Sequence, residues 1–295
     1  MAIFTGSGVA LITPFDEKNE INFEKLRELL EYHIVNRTDA VIVTGTTGES
    51  ATMSDEEKLA VIKFSVDVVR GRIPVIAGTG SNNTKHAVWL SQEAEKLGAD
   101  ALLVVTPYYN KGNESGIYNH YKEIAKNVKI PIILYNVPGR TGVNLSINLV
   151  EELSKLENVV AIKEASGNIS YAAEIARAVP ELDIYSGNDD MTVPLLSIGG
   201  KGVISVSANI LPEIVHNMVM AFLNKDTDKA RELQLKYNDL VNALFIEVNP
   251  VPVKEAMNFL GYDVGECRLP LGEMSEKNKE ILYEIIRKHE VSEWK

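Results

Sequence analysis

The feature that most constrains this chain is an eightfold alternation of short apolar runs with helix-period segments. The runs are GVALITP (8–14), DAVIVTG (39–45), IPVIAGTG (73–80), DALLVVTP (100–107), IPIILYN (130–136), NVVAIKEA (158–165), LDIYSG (182–187) and KGVISVSAN (201–209). They are rich in β-branched residues, as strands buried on both faces are, and seven of the eight end in Gly, Pro or Asn. Helical patterns such as 23–35, 55–69 and 84–98 lie between them. Ser54 followed by Glu57 has the spacing of a capping box, and Gly98 is placed as a helix C′ residue. Strand–helix alternation predicts parallel βα units, and eight of them predict a (β/α)8 barrel, an α/β fold. A doubly wound open sheet is the alternative. No G-x-G-x-x-G follows the first run, however, and GTGS (78–81) follows the third.

After about residue 210 the strand pattern stops. Segments 211–223, 229–245, 251–261 and 276–289 read as helices, with Pro250, Pro252 and Pro270 between or within them. The expected organisation is a catalytic barrel over 1–225 and a helical extension over 226–295.

Composition excludes several classes. A net charge of −11 argues against a nucleic-acid surface, which needs a basic patch. Cys267 is the single cysteine and cannot form an internal disulfide, as expected in a reducing cytoplasm. MAIFTGSGVALITPF lacks the basic start of a signal peptide, and no run approaches the roughly 20 apolar residues of a membrane span. The expectation is a cytoplasmic protein that binds neither nucleic acid nor membrane. His33, His86, His120, His216 and His289 are scattered without ligand spacing, so no metal is expected. Asp189 and Asp190 beside Asn188 read as a helix N-cap in preference to a cation site.

In such a barrel the functional residues lie at the C-terminal ends of the strands. These are Thr46, Thr47 and Gly48 after run 2, Tyr108 and Tyr109 after run 4, and Tyr135 near the end of run 5 with Arg140 beyond it. Lys163 ends run 6. If Val160 and Ile162 face the helices, alternation turns Val159, Ala161 and Lys163 inward and Glu164 outward, where Glu164 is structural. An inward lysine is desolvated, which favours the free amine that forms Schiff bases with carbonyls. Small Ala161 beneath it leaves room for a substrate. Tyr135, with a second tyrosine and a threonine, supplies hydroxyls for proton transfer. The Thr46–Thr47–Gly48 turn offers N–H and O–H groups to a carboxylate, and Arg140 offers a fork to a second. The sum describes a lyase or aldolase acting on a small keto acid. Each residue also has a plain structural reading: a strand-to-helix turn, a packing tyrosine pair, a surface arginine. It is their joint position at one rim that favours chemistry.

The segments GTTGES (45–50), TPYYNK (106–111), YNVPGRTG (135–142), IKEASG (162–167), SGNDD (186–190) and GVISVSAN (202–209) carry a resemblance. In order, and over nearly the whole chain, they resemble the dihydrodipicolinate synthase branch of the pyruvate-dependent class I aldolases. N-acetylneuraminate lyase belongs to the same wider family. The resemblance implies that Lys163 forms a Schiff base with pyruvate and that no separate cofactor is used. It implies that Tyr135 carries protons, with Thr46 and with Tyr109 from a neighbouring subunit completing a relay. Thr47 and Gly48 would hold the pyruvate carboxylate together with the backbone at Ile204, Gly187 would line the pocket, and Arg140 would hold L-aspartate-4-semialdehyde. The implied reaction is their condensation, the committed step towards diaminopimelate and lysine, in a homotetramer built as a dimer of dimers. A keto-sugar lyase and a non-catalytic ligand-binding barrel are the alternatives. Arg140 favours a small acid over a polyol, and the full residue set favours an enzyme.

In lysine-inhibited relatives an effector site lies between subunits. Ala51, Asn82 and Tyr108 match that pattern, but Lys58 and His86 stand where the inhibited type carries His and Glu. A cation at 58 repels a lysine ammonium and an acid is lost at 86, so weak or absent lysine feedback is expected. Gly112, where a proline is common, is expected to be neutral.

Overall fold

A computed structural model describes residues 2–294. Eight parallel strands close into a barrel in sequence order: β1 (Gly6–Ala10), β2 (Ala40–Val43), β3 (Val75–Gly78), β4 (Ala101–Val105), β5 (Ile132–Asn136), β6 (Val159–Glu164), β7 (Asp183–Ser186) and β8 (Gly202–Ser205). Each is shorter than its predicted run, and all but β1, which starts two residues before its run, fall within it; except in β5, the last residues of the run turn off into the rim loops. After β2, for example, Thr44 has a φ of +53°.

Two apolar layers follow from strand alternation. Ala40, Ile42, Ile76, Ile133, Tyr135, Ala161 and Ile204 fill the barrel. Val41, Val43, Leu102, Leu134 and Ile162 face the surrounding helices. The predicted alternation of β6 holds for Ala161, Ile162 and Lys163 but fails one turn earlier. Ile132 pairs with Val159 and Ile133 with Ala161, so a bulge absorbs Val160. Val159 therefore joins the outer layer and Val160 packs on the inner one, the reverse of the strict period.

The local signals were sound. Ser54 Oγ accepts from the Glu57 N–H at 3.2 Å, while the Glu57 carboxylate accepts from the Ser54 N–H at 2.8 Å. Gly98 has a φ of +92° just past the helix Thr84–Lys96. The C-terminal segments form helices Pro212–Leu223, Thr227–Ala243, Val251–Phe259 and Glu276–Lys288. Their apolar faces (Val219, Leu240, Met257 and Leu282) join the same outer core as the barrel helices. Among the described residues no helix is long and apolar enough to cross a membrane.

Candidate active site

β5 and β6 place Tyr135 and Lys163 side by side in register. Lys163 is buried, 6% exposed, and its Nζ lies 4.5 Å from the centre of the Tyr135 ring. Fully buried Ala161 lies two residues below on the same face. Gly187, after β7, makes the space for the lysine stem. A Cβ there would stand 3.0 Å from Lys163 Cε and 2.5 Å from Ala165 Cβ.

One residue further on, the outward faces of the same strands are tied together. Asn136 Nδ2 donates to Glu164 Oε2 at 2.8 Å, and the Ser166 N–H donates to Glu164 Oε1 at 2.6 Å. Burial pushes the Glu164 carboxyl above its ordinary range, against the pull of these donors. Glu164 is structural, as alternation predicts.

The β2 rim carries Thr46, Thr47 and Gly48. Thr47 is buried, and its Oγ1 accepts from Asn249 Nδ2 at 3.0 Å. Thr13 Oγ1 donates to the Gly48 carbonyl at 2.7 Å, pinning the turn from β1. Arg140 is exposed and donates from Nη2 to the Asn249 carbonyl at 2.8 Å. Asn249 thus bridges the two residues expected to hold carboxylates, and its Oδ1 is buried without a partner. Nothing in its sequence neighbourhood marked it beyond a turn-forming Asn-Pro pair. Ile204 is fully buried in β8.

A cleft of about 500 Å³ opens over these strand ends. It unites Thr46 and Arg140 with Ala51, Lys58, His86 and Tyr108, four residues expected at an effector site. Lys163 and Tyr135 lie off its wall, enclosed in the barrel mouth. A larger hollow, about 810 Å³, lies between the first helix and the chain's C-terminal segment and is lined by none of the expected site residues. Tyr109 lines neither; it is 89% exposed, with a φ of +70°. Asn82 lies outside the cleft wall and accepts from Asn110 Nδ2 through its carbonyl at 3.0 Å.

Asp55 was missed by the sequence reading. It stands between Lys58 (3.3 Å) and His86 (2.9 Å), where it is paired with both. Partial burial opposes its ionisation, but the hydrogen bonds from His86 and Lys58 prevail and hold its carboxyl below the ordinary range.

Asp189 corrects the N-cap expectation. No side chain caps the short turn Asp189–Met191. Instead the Asp189 carboxylate is buried beneath the β8 loop, where it accepts from Ser205 Oγ, from the Val206 N–H at 2.9 Å and from Ser207 Oγ at 2.9 Å. Burial pushes its carboxyl up, opposed by those donors. Among the described residues no three His, Cys, Asp or Glu side chains cluster to hold a metal.

The geometry therefore offers an enclosed lysine beside a tyrosine, a hydroxyl-bearing turn, and a guanidinium at the lip. Comparison with known proteins agrees with it. The model of the dihydrodipicolinate synthetase family matches residues 3–289. The chain is 60% identical over 292 residues to the 4-hydroxy-tetrahydrodipicolinate synthase of Caldicellulosiruptor bescii, covering 99% of both chains. It is similar to the solved dihydrodipicolinate synthase of Aquifex aeolicus, with 46% identity, a TM-score of 0.96, and 99% and 100% of the two chains covered. It is also similar to a solved monomeric dihydrodipicolinate synthase variant, with 40% identity, a TM-score of 0.95 and 98% of each chain covered. The chain belongs to the dihydrodipicolinate synthetase family.

Proposed function

We propose that this chain condenses pyruvate with L-aspartate-4-semialdehyde through a Schiff base on Lys163, a 4-hydroxy-tetrahydrodipicolinate synthase activity. The observation that carries it is the registered Tyr135–Lys163 pair enclosed below a rim that bears Thr46, Thr47 and Arg140. The Lys163 amine adds to the keto carbon of pyruvate, and water leaves as the iminium forms. Loss of a methyl proton gives the enamine, whose carbon attacks the aldehyde. The amino group of the second substrate then displaces Lys163 as the ring closes. Each step moves a proton, and the hydroxyl of Tyr135, whose ring lies beside Lys163, is suited to carry it. Thr46 passes the proton on from Tyr135, Thr47 and Gly48 with the backbone at Ile204 take the pyruvate carboxylate, and Arg140 takes that of the semialdehyde. No external cofactor is required.

Tyr109 completes the relay from a second copy, which its 89% exposure favours, and a dimer of dimers is the assembly we propose. A reaction on small dissolved acids fits the cytoplasm. Lysine feedback is weak or absent. Lys58 is paired with Asp55, which also bonds His86, so that carboxylate is already engaged where a lysine ammonium would need one. Half-inhibition at sub-millimolar lysine would contradict this.

The test is turnover of pyruvate with L-aspartate-4-semialdehyde, coupled to reduction of the product. Turnover without cleavage of N-acetylneuraminate supports the synthase. The opposite pattern favours a sugar lyase, and neither activity favours a binding protein.

A further inference from the structure

The Thr46–Glu49 turn is gripped by residues some 200 positions away. Glu49 closes the turn through its N–H, which donates to the Thr46 carbonyl at 3.1 Å, and its backbone is left-handed at a φ of +56°. A non-glycine residue adopts that conformation only when its surroundings hold it there. Its side chain is wholly enclosed, with Oε1 2.7 Å from Lys254 Nζ. Glu49 Oε2 accepts from the Arg268 N–H at 2.9 Å. Lys254 is itself 2% exposed, donates to the Glu266 carbonyl at 3.0 Å, and has its Nζ 4.1 Å from the centre of the Phe15 ring. Burial lowers its affinity for a proton, and the Glu49 carboxylate opposes that.

Stability alone is a poor reason for such a pair. Desolvating two charges offsets much of their attraction, and apolar residues of similar size often serve as well. Its location supplies another reason. Lys254 sits on the helix Val251–Phe259, which begins just after Asn249. That one segment holds the turn twice, through Asn249 on Thr47 and through Lys254 on Glu49.

We propose that Lys254 is a positioning residue for the carboxylate-binding turn: by fixing Glu49 it keeps Thr47 and Gly48 where they can take the carboxylate of an α-keto acid. The inference rests on the function proposed above. The Lys254 ammonium is taken up by Glu49, the Glu266 carbonyl and the face of Phe15, so it acts on the turn through Glu49 and not on a substrate. It makes the C-terminal helical extension part of the site.

The test uses the full chain with Lys254→Met and with the double variant Glu49→Gln/Lys254→Met, which leaves no uncompensated charge. Borohydride trapping of Lys163 is followed against pyruvate concentration, and KM is measured for both substrates. In each folded variant the half-saturating pyruvate concentration rises about tenfold or more. Full trapping is still reached at saturation, and KM for the semialdehyde changes less than about twofold. A merely structural role lowers the melting temperature or the active fraction and leaves pyruvate half-saturation unchanged. That result in either folded variant overturns the proposal. Failure of both variants to fold overturns it too, by assigning the pair to folding. If wild-type enzyme is not trapped by pyruvate, the functional reading itself fails, independently of the variants.

Discussion

Tyr135 and Lys163 are paired residue for residue across β5 and β6, and the next pair along, Asn136 and Glu164, is hydrogen-bonded on the opposite face. A one-residue slip between these strands would turn Lys163 away from the barrel. The outer bond therefore fixes the register on which the inner chemistry depends. Removing only the hydroxyl, in Tyr135→Phe, leaves the ring beside the lysine. It is expected to lower kcat by about 10²–10⁴-fold while pyruvate is still trapped, more slowly, on Lys163. Steady-state kinetics with trapping rates check this. Wild-type turnover in the variant would remove Tyr135 from proton transfer.

Gly187→Ala is expected to abolish turnover with little loss of fold. The added methyl meets Lys163 Cε at 3.0 Å and Ala165 Cβ at 2.5 Å, so the lysine stem must shift. Activity measured beside far-ultraviolet circular dichroism separates the two effects, and an active variant would show that the lysine needs no such space.

Arg140 is anchored to the Asn249 carbonyl at 2.8 Å. Arg140→Ala is expected to raise KM for L-aspartate-4-semialdehyde by roughly 10–100-fold, the loss of a charge-assisted hydrogen bond, with pyruvate trapping little changed. Arg140→Lys should restore only part of this, because an ammonium cannot fork. Equal effects on both substrates would place Arg140 elsewhere in the mechanism.

Acid should destabilise the fold through its buried histidines. Burial pushes His33 down to about 3 and His120 down to about 4, from an ordinary value of 6.5. Their stabilising contribution is present above the unfolded value and is lost as pH falls from it towards the folded one, because the unfolded chain takes up the proton first. For His33 the loss between about pH 7 and about pH 5 is roughly 2 kcal/mol. Urea unfolding at the two pH values reads it directly. His33→Asn, which keeps a polar atom near Thr38 Oγ1, should lose less over the same interval. An equal loss in the variant would assign the acid sensitivity to other groups.

How much was legible in the sequence follows from which contacts are local. The eight strands, the Ser54 cap and the inward Lys163 are written in residues a few positions apart, where period and punctuation act. The Thr47–Asn249 bond joins residues 202 apart, and the Glu49–Lys254 pair is of the same kind. No periodicity announces either. Val159 was misplaced because a bulge breaks the period without leaving a glycine or proline to mark it. Asp189 looked like a cap because Asx residues before a helix usually are. Its true partners, Ser205 to Ser207, belong to the end of the next strand and the loop that follows it. Asp55 lay inside a recognised capping sequence, and its second role depends on His86 arriving from another helix.

The central claim is that Lys163 is the amine that binds pyruvate. Borohydride reduction of the enzyme with pyruvate, followed by peptide mass mapping, tests it most directly. One reduced pyruvyl group is expected on the peptide containing Lys163, and none in Lys163→Ala. An unlabelled wild-type enzyme, or a label that survives Lys163→Ala on another lysine such as Lys254, would contradict it.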